Sequence, residues 1–215
     1  MTIGNSEAAV SLDAKYRPST ESAKATFNAI LKVTGELLSE VGFERLSTNM
    51  IAARAGLSPP ALYRYFPNKY ALLAELGRQL MAAQDVGVVA WHEDMAAVRP
   101  SLEQRVAAQI DIMRSHVEIT REMPGGVWIM RALRAVPTLQ RVRIESRDLV
   151  ADSLYDNTRH WYPNTSEADF RLCTRLSIEL YYSAIEMVVE EPDLDADKAF
   201  DKAARMVEMY FEALT

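Results

Sequence analysis

The sequence predicts an all-α fold of about nine helices, with a small three-helix N-terminal domain followed by a larger helical domain. Apolar residues recur at intervals of three and four along most of the chain, which is the period of an amphipathic helix. Turn-forming clusters, such as residues 123–126 and 163–164, fall between these periodic segments. Short apolar runs at 86–90 and 188–189 lie inside stronger helical patterns, so no segment favours a β-strand.

The first elements can be read from capping residues. Residues 1–20 show no helical period and are expected to form a flexible N-terminal arm. A helix is predicted from about Glu21 to Val41, and Ser19 or Thr20 can cap its start. Gly42 is expected to end it, because glycine readily adopts the left-handed conformation of a C-cap. Two short helices follow within 48–66.

The larger domain is predicted at residues 74–215, after an N-terminal domain at residues 21–73. Its helices are defined by the apolar period and by N-cap residues such as Asn68 and Ser166. The helices from Asn68 onwards are expected at about residues 68–95, 101–121, 127–135, 138–161, 166–189 and 196–213.

The composition is typical of a globular protein, with 49% hydrophobic and 25% charged residues. There is no apolar run of roughly 18 residues, so no membrane association is expected. The N-terminus lacks the basic start and apolar stretch of a secretory signal, and Cys173 is the single cysteine. Both features favour a cytoplasmic location.

The net charge of −6 is distributed unevenly along the chain. Residues 13–80 carry nine Lys and Arg against six Asp and Glu, whereas residues 81–215 carry fifteen against twenty-three. This distribution suits a protein that offers one end to a polyanion and keeps the other end away from it. A chance asymmetry is the alternative.

Residues 47–66 have the residue types that two closely crossing helices require. Ala52 is small enough for close contact, and four residues later Gly56 tolerates the positive φ of a tight turn. Leu62 then faces the first helix from the second. Residues that complete this core and cap the two helices are Ile51, Leu57, Phe66, Ser47 or Thr48, and Ser58.

The second of these helices, residues 59–66, is the candidate recognition helix of a helix-turn-helix. Arg64 can pair with a guanine and Ala61 can touch a thymine methyl group. The side chains of Tyr63, Tyr65 and Lys69 can reach phosphates. The candidate DNA-binding residues are Thr48, Asn49, Ser58, Pro59, Pro60, Ala61, Tyr63, Arg64, Tyr65 and Lys69. The alternative is an ordinary pair of surface helices in which the aromatic residues pack and Arg64 is solvated.

Residues 21–73 resemble the N-terminal region of the tetracycline-repressor-like (TetR) family of bacterial transcriptional regulators. The residues that match the family signature are Gly42-Phe43, Ser47-Thr48, Ile51-Ala52, Ala55-Gly56-Leu57-Ser58, Leu62-Tyr63, Tyr65-Phe66 and Lys69. Two positions depart from it: Pro60 stands where the family most often has Gly, and Tyr65 stands where His is common.

The resemblance implies a ligand-responsive DNA-binding regulator, most often a repressor, that binds a palindromic operator on double-stranded DNA as a homodimer. It also implies that residues beyond about 74 form a helical effector-binding and dimerisation domain. Effector binding would then shift the population of dimer states, with the helix at 68–95 as the link to the recognition helices. The effector is a small molecule that the sequence does not identify, and no cofactor is expected.

The two last helices independently suggest a dimer. The helices at 166–189 and 196–213 have apolar faces that are broad for surface helices. Two such helices can pair with those of a symmetry mate in a four-helix interface, although packing within one chain is the alternative. A dimer would place the recognition helices roughly 34–36 Å apart, which is one turn of DNA.

A ligand cavity is expected between the central helices, because aromatic and methionine side chains suit a broad apolar ligand. Each of these residues can instead be ordinary core. The candidate ligand-binding residues are Trp91, Met113, His116, Trp128, Met130, Tyr155 and Tyr182. Asp111, Arg131 or Glu186 can orient a polar group of the ligand.

An enzyme is the main competing class. The sequence contains none of the common nucleotide-binding, zinc-protease or hydrolase motifs, and it has three histidines and one cysteine. The acidic cluster at 190–197 lacks the Gly and terminal Glu of a calcium loop. The sequence therefore predicts neither catalytic nor metal-binding residues. A helical scaffold or a small-molecule-binding protein that does not bind DNA is a further alternative.

Overall fold

The computed structural model describes residues 10–214, which form nine α-helices and no β-strand. The helices are α1 Glu21–Arg45, α2 Thr48–Arg54, α3 Pro59–Tyr65, α4 Lys69–Met95, α5 Leu102–Glu122, α6 Gly126–Ala135, α7 Gln140–Thr158, α8 Glu167–Glu190 and α9 Ala196–Glu212. Single 3₁₀ turns at Pro137–Leu139 and Arg159–Trp161 flank α7. The predicted all-α fold class is confirmed.

Capping residues explain several of the helix boundaries. Asn68 accepts a hydrogen bond from the Ala71 backbone N–H at 2.9 Å, which starts α4. Ser101 and Gln104 form a reciprocal capping box at the start of α5. Gly42 has a φ of 74°, as predicted, but the chain continues in one further helical turn to Arg45.

Two compact units divide the chain. One comprises residues up to Gln79 together with Pro124–Arg143, and the other comprises Leu80–Met123 together with Ile144–Thr215. This division differs from the predicted boundary after residue 73. The long helix α4 supplies residues to both units.

The first unit includes α6 because α1 and the turn before α6 approach each other very closely. A Cβ atom at Gly35 would collide with the backbone carbonyl of Pro124, and one at Gly125 would collide with Gly35. Gly125 also has a φ of 76°, which only glycine adopts without strain. A glycine in the middle of a helix is otherwise unfavourable, so Gly35 is explained by this contact.

Residues 1–9 of the predicted N-terminal arm lie outside the residues that the structure describes. The following stretch contacts the first unit. The Lys15 backbone N–H donates to the Tyr65 carbonyl at 2.8 Å, and Arg17 forms a two-point ion pair with the buried Glu75. Arg78 donates to the Leu12 carbonyl at 3.2 Å. Residues 12–17 are therefore held against the unit.

The second unit has an aromatic cluster where α8 and α9 meet. Phe170 lies at its centre, with ring centroids 5.1 Å from Tyr162 and 5.9 Å from Phe211. The three rings are buried, and Val207 packs beside them. Among residues 10–214, no helix is long and apolar enough to cross a membrane.

Candidate nucleic-acid interface and candidate ligand cavity

The helices α2 and α3 form the predicted helix-turn-helix. Ala52 and Leu62 are buried at their contact, with 1% and 0% of their surfaces exposed. Gly56 provides the turn with a φ of 67°. The side chain of Ser47 caps α2 and that of Ser58 caps α3, each accepting from a backbone N–H three residues later. The local geometry inferred from the sequence is therefore present.

The outer face of α3 presents an aromatic and a basic side chain to solvent. Tyr63 and Arg64 are exposed, as are the two prolines at the start of the helix. The Tyr63 hydroxyl lies 2.8 Å from the Thr48 hydroxyl, so this hydrogen bond ties the first turn of α2 to α3. The neighbouring candidates Asn49 and Ser58 are also exposed, and Ala61 is half-buried. These residues form one surface that we call the α3 face.

Tyr65 is not part of the α3 face, although the sequence placed it among the side chains that can reach phosphates. Only 5% of its surface is exposed. Its ring packs edge-on against Tyr16 and Phe27, with centroid distances of 5.8 and 6.2 Å. The covering residues come from the N-terminal stretch and from α1, which the local pattern of α3 does not reveal.

Lys69 is partly engaged by the protein itself. Its Nζ atom donates to the Phe43 carbonyl at 3.1 Å and lies 4.3 Å from the centroid of the Phe43 ring. An ammonium group has three donors, so others remain for a phosphate. Lys69 also fixes the end of α1 to the start of α4 within this unit.

A cavity lies within the second unit, walled by α4, α5, α7, α8 and α9. The empty space between its walls is about 840 Å³, including the part that opens to solvent. The walls are mostly aliphatic and aromatic. The aromatic side chains that line it are Trp91, Trp161, Tyr162, Tyr181, Tyr182 and Phe211.

Four of the seven predicted ligand-binding residues line this cavity: Trp91, Met113, His116 and Tyr182. The other three do not, and neither do Asp111, Arg131 and Glu186. Trp128 and Met130 belong to the first unit, because α6 packs with α1. Tyr155 packs instead against Phe170, at a centroid distance of 5.7 Å, and under the Arg171 guanidinium.

Asp85 is a buried carboxylate in the cavity wall. Both of its oxygens lie 2.9 Å from the Ser146 hydroxyl. Burial raises the pKa of Asp85 to about 6, and the Ser146 hydrogen bond opposes this rise only in part.

Two histidines also line the cavity in an environment that disfavours charge. His92 Nδ1 lies 3.2 Å from the Ser153 hydroxyl, and burial lowers the pKa of His92 to about 4. His116 Nδ1 lies 2.8 Å from the Ile112 carbonyl, and burial also lowers its pKa. Both imidazoles are therefore neutral at neutral pH.

The wall formed by α5 and α9 contains a buried ion-pair network. The Arg105 guanidinium donates to Glu208 at 2.8 Å, to Glu212 at 2.6 Å and to the Pro100 carbonyl at 2.8 Å. Beside it, burial and the adjacent Glu208 carboxylate raise the pKa of the Tyr181 hydroxyl. That hydroxyl makes no hydrogen bond of ordinary geometry with the described residues.

Two ionisable residues of this cavity, Asp85 and His92, were not among the ligand-binding residues predicted from the sequence. A usable signal exists on α4, where Asp85, Val88, His92 and Met95 follow the helical period on one buried face. Two ionisable residues on an otherwise apolar face are unusual in a core, because each must be neutralised or paired. Their spacing therefore indicates a site.

The outward faces of α8 and α9 remain apolar. Leu172 and Leu176 on α8 have 56% and 61% of their surfaces exposed, and Met206 and Met209 on α9 have 65% and 60% exposed. Tyr210 continues the same face of α9. Exposed apolar patches of this kind are typical of protein interfaces. Among residues 10–214, no cluster of three or more His, Cys, Asp or Glu side chains is arranged to hold a metal ion.

The fold and the two-helix geometry define an all-α helix-turn-helix protein. Residues 30–76 match the family model described as bacterial regulatory proteins, tetR family. The match covers less than half of the chain, so it shows that this region is similar to the tetR family of bacterial regulatory proteins.

Two of the matching sequences are named as a repressor and a transcriptional regulator. The tetracycline repressor protein class A of Escherichia coli is 33% identical over 94 residues, which cover 41% of this chain and 44% of that protein. The HTH-type transcriptional regulator RutR of E. coli K12 is 29% identical over 56% of this chain and 54% of its own length. The chain thus aligns with about half of these relatives.

A solved structure shares the fold over most of the chain. The FadR repressor of Thermus thermophilus, in complex with lauroyl-CoA, superposes with a TM-score of 0.58 at 22% identity. The superposition covers 84% of this chain and 92% of FadR. The common architecture therefore extends beyond residues 30–76.

Proposed function

We propose that this protein is a ligand-responsive transcriptional repressor that binds a palindromic operator on double-stranded DNA as a homodimer. The α3 face carries the proposal: a short, capped helix presents Tyr63 and Arg64 to solvent on a small apolar core. Arginine pairs with guanine in the major groove, and tyrosine hydroxyls bind phosphates. The protein would act in the cytoplasm, where the DNA is, and without catalysing a reaction.

The hydrogen bond between Thr48 and Tyr63 supports this proposal, because it orients the tyrosine hydroxyl at the outer surface. A phosphate oxygen can accept from whichever of the two hydroxyls is left with a free hydrogen. The surplus of basic residues in 13–80 and of acidic residues in 81–215 favours approach of this end to DNA.

The DNA-binding test is fluorescence anisotropy with duplex DNA taken from beside the protein's own gene. Arg64→Ala should weaken binding by about ten-fold or more, because one bidentate base contact is worth about 1–3 kcal/mol. Tyr63→Phe should cause a smaller loss and reduce the slope of affinity against salt. Arg114→Ala is the matched control, since this exposed arginine lies on α5. Equal affinity of all variants would contradict the assignment of the α3 face.

The dimer is proposed through α8 and α9, at about 166–189 and 196–213. Their exposed leucines and methionines are apolar side chains that a second copy of the same helices would cover. A stable homodimer needs such an apolar interface centre, whereas an isolated chain would leave it in water. Two chains would present two α3 faces, which suits a palindrome.

The dimer test is sedimentation equilibrium of the full chain. Leu176→Glu and Met206→Glu should each shift the protein towards the monomer and weaken operator binding, because a buried carboxylate would face a second apolar surface. Val98→Glu is the control, since Val98 is 74% exposed but lies in the segment between α4 and α5. Dimers in both interface variants would contradict this interface.

The effector is proposed to be a small molecule that occupies the cavity of the second unit. Ligand binding would change the population of dimer states that match the operator, in proportion to its differential affinity for those states. The helix α4 contributes residues both to the unit that contains α3 and to the cavity wall. We therefore propose α4 as the element through which occupancy affects DNA binding.

A further inference from the structure

We infer that the cavity binds an apolar molecule carrying a positively charged or strongly hydrogen-bond-donating nitrogen, such as a lipophilic amine, and that Asp85 receives this group. The inference rests on the proposed function in one respect, because it names the chemical class of the proposed effector. The chemical class of the ligand is inferred from the residues of the cavity wall alone.

The first observation is that Asp85 lacks donors. Both carboxylate oxygens lie at hydrogen-bond distance from one hydroxyl, that of Ser146. A hydroxyl has one hydrogen, so it can satisfy one oxygen at a time, whereas a carboxylate offers about four acceptor positions. Asp85 is nevertheless a buried residue, with 8% of its surface exposed. A bound hydrogen-bond donor would occupy the acceptor positions that the Ser146 hydroxyl leaves unfilled.

The second observation is that no cation compensates Asp85 within the cavity wall as described. Arg105 is the one Lys or Arg side chain among the lining residues, and its donors already serve Glu208, Glu212 and Pro100. The histidines His92 and His116 are neutral at neutral pH, because burial lowers the pKa of each. A positively charged ligand would supply the missing compensation.

The third observation is that the rest of the wall suits the apolar part of such a ligand. Trp91, Trp161 and Tyr182 line the same cavity as Asp85, together with aliphatic side chains of α5 and α8. Aromatic faces attract ammonium groups and also bury hydrocarbon. An anionic amphiphile would be disfavoured, because it would bring a second negative charge to a wall whose arginine is already paired.

The test compares three probes that share one alkyl chain: decylamine, decanol and decanoate. Binding to the full-length protein without DNA is measured by calorimetry and by quenching of tryptophan fluorescence. At neutral pH decylamine should bind at least about ten-fold more tightly than decanol, and decanoate should bind most weakly. Tighter binding of decanoate, or equal binding of all three, would overturn the inference.

Two variants then test whether Asp85 causes the preference for decylamine. Asp85→Asn should bring the affinity for decylamine to that for decanol while leaving decanol binding within about two-fold. Asp156→Asn is the matched control, because Asp156 is an exposed residue of α7 that does not line the cavity. An amine preference that survives in Asp85→Asn would overturn the role of Asp85. The comparison of the three probes on the unmodified protein decides the ligand class even if a variant fails to fold.

The inference and the proposed function fail in different ways. If the amine binds selectively but leaves operator affinity unchanged, the cavity assignment holds and its regulatory role is contradicted. If the protein binds operator DNA but shows no preference for the amine, the regulator is supported and the inferred ligand class is wrong.

Discussion

The core of the helix-turn-helix and the interior around the cavity differ in how they treat polar groups. Between α2 and α3 the buried side chains are apolar, and a serine caps the start of each helix. Around the cavity, Asp85, His92 and Glu208 are buried, and the pKa of each shifts towards the neutral form because of burial. The apolar core between α2 and α3 favours a single geometry. The interior around the cavity retains ionisable groups that lower stability and that a ligand can contact.

The largest effect is expected from weakening the apolar core. Leu62→Ala should lower the free energy of unfolding by about 2–5 kcal/mol, because Leu62 is fully buried and its loss leaves a cavity. Denaturation in urea followed by circular dichroism measures this change. Val98→Ala, at an exposed position, should change it by less than about 0.5 kcal/mol. A loss for Leu62→Ala no larger than that of the control would show that this core does not depend on Leu62.

The opposite sign is expected in the cavity. Asp85→Asn should raise the free energy of unfolding at neutral pH by on the order of 1–3 kcal/mol, because it removes a charge that burial disfavours. Asparagine can still accept the Ser146 hydrogen bond. The same urea titration measures the gain, with Asp156→Asn as the exposed control. Destabilisation by Asp85→Asn alone would mean that the carboxylate has a favourable partner in the folded protein.

Asp85 and His92 are buried groups whose effects on stability should change with pH in opposite directions. The pKa of Asp85 is raised from 3.8 to about 6, so its contribution to stability is fullest below 3.8 and is lost as pH rises through 6. The pKa of His92 is lowered from 6.5 to about 4, so its contribution is full above 6.5 and is lost as pH falls through 4. The two slopes therefore nearly cancel between about pH 4 and 6.

Each single variant should expose the slope of the other group. Relative to the unmodified protein, Asp85→Asn should lose stability more steeply on acidification and His92→Gln less steeply, each by up to about 1.4 kcal/mol per pH unit. His116 should act in the same direction as His92, because its pKa is also lowered. Thermal melts at several pH values measure the slopes. Parallel curves for all three proteins would rule out titration of these two groups in this range.

The smallest effect concerns a cap rather than a core. Ser58→Ala should cost about 1 kcal/mol, because the backbone N–H of Ala61 loses its acceptor. Ser58→Asp should restore this stability, since aspartate is an equally good N-cap, yet weaken DNA binding by charge repulsion. Melting temperature and DNA anisotropy are measured on the same samples. Unweakened DNA binding by Ser58→Asp would place the phosphates away from the start of α3.

The difference between the two regions also explains what the sequence could predict. The geometry of α2 and α3 depends on residues within about ten positions of each other, so Ala52, Gly56 and Leu62 could be assigned from spacing. The cavity depends on five helices that are distant in the chain. Residue type alone selected Trp91 and Met113, which line it, together with Trp128 and Tyr155, which do not.

The errors have particular structural causes. Tyr65 is buried because Tyr16 and Phe27, which are far from it in sequence, cover its ring. Trp128 lies in the first unit because Gly35 lets the turn before α6 approach α1. In both cases a contact between distant residues overrides a correct local pattern, and no local period reports such a contact.

The two prolines at the start of α3 also determine which atoms are left to bind a phosphate. Pro59 and Pro60 have no amide hydrogen. The Ala61 amide donates to the Ser58 side chain, and the Leu62 amide donates to the Ser58 carbonyl. Within residues 59–62 the backbone therefore has no hydrogen to offer, although helix starts commonly bind anions in this way. In the proposed DNA complex, contact at this point would fall to side chains alone. The preferred DNA sequence should then be open to redesign at these side chains without any change to the backbone that carries them.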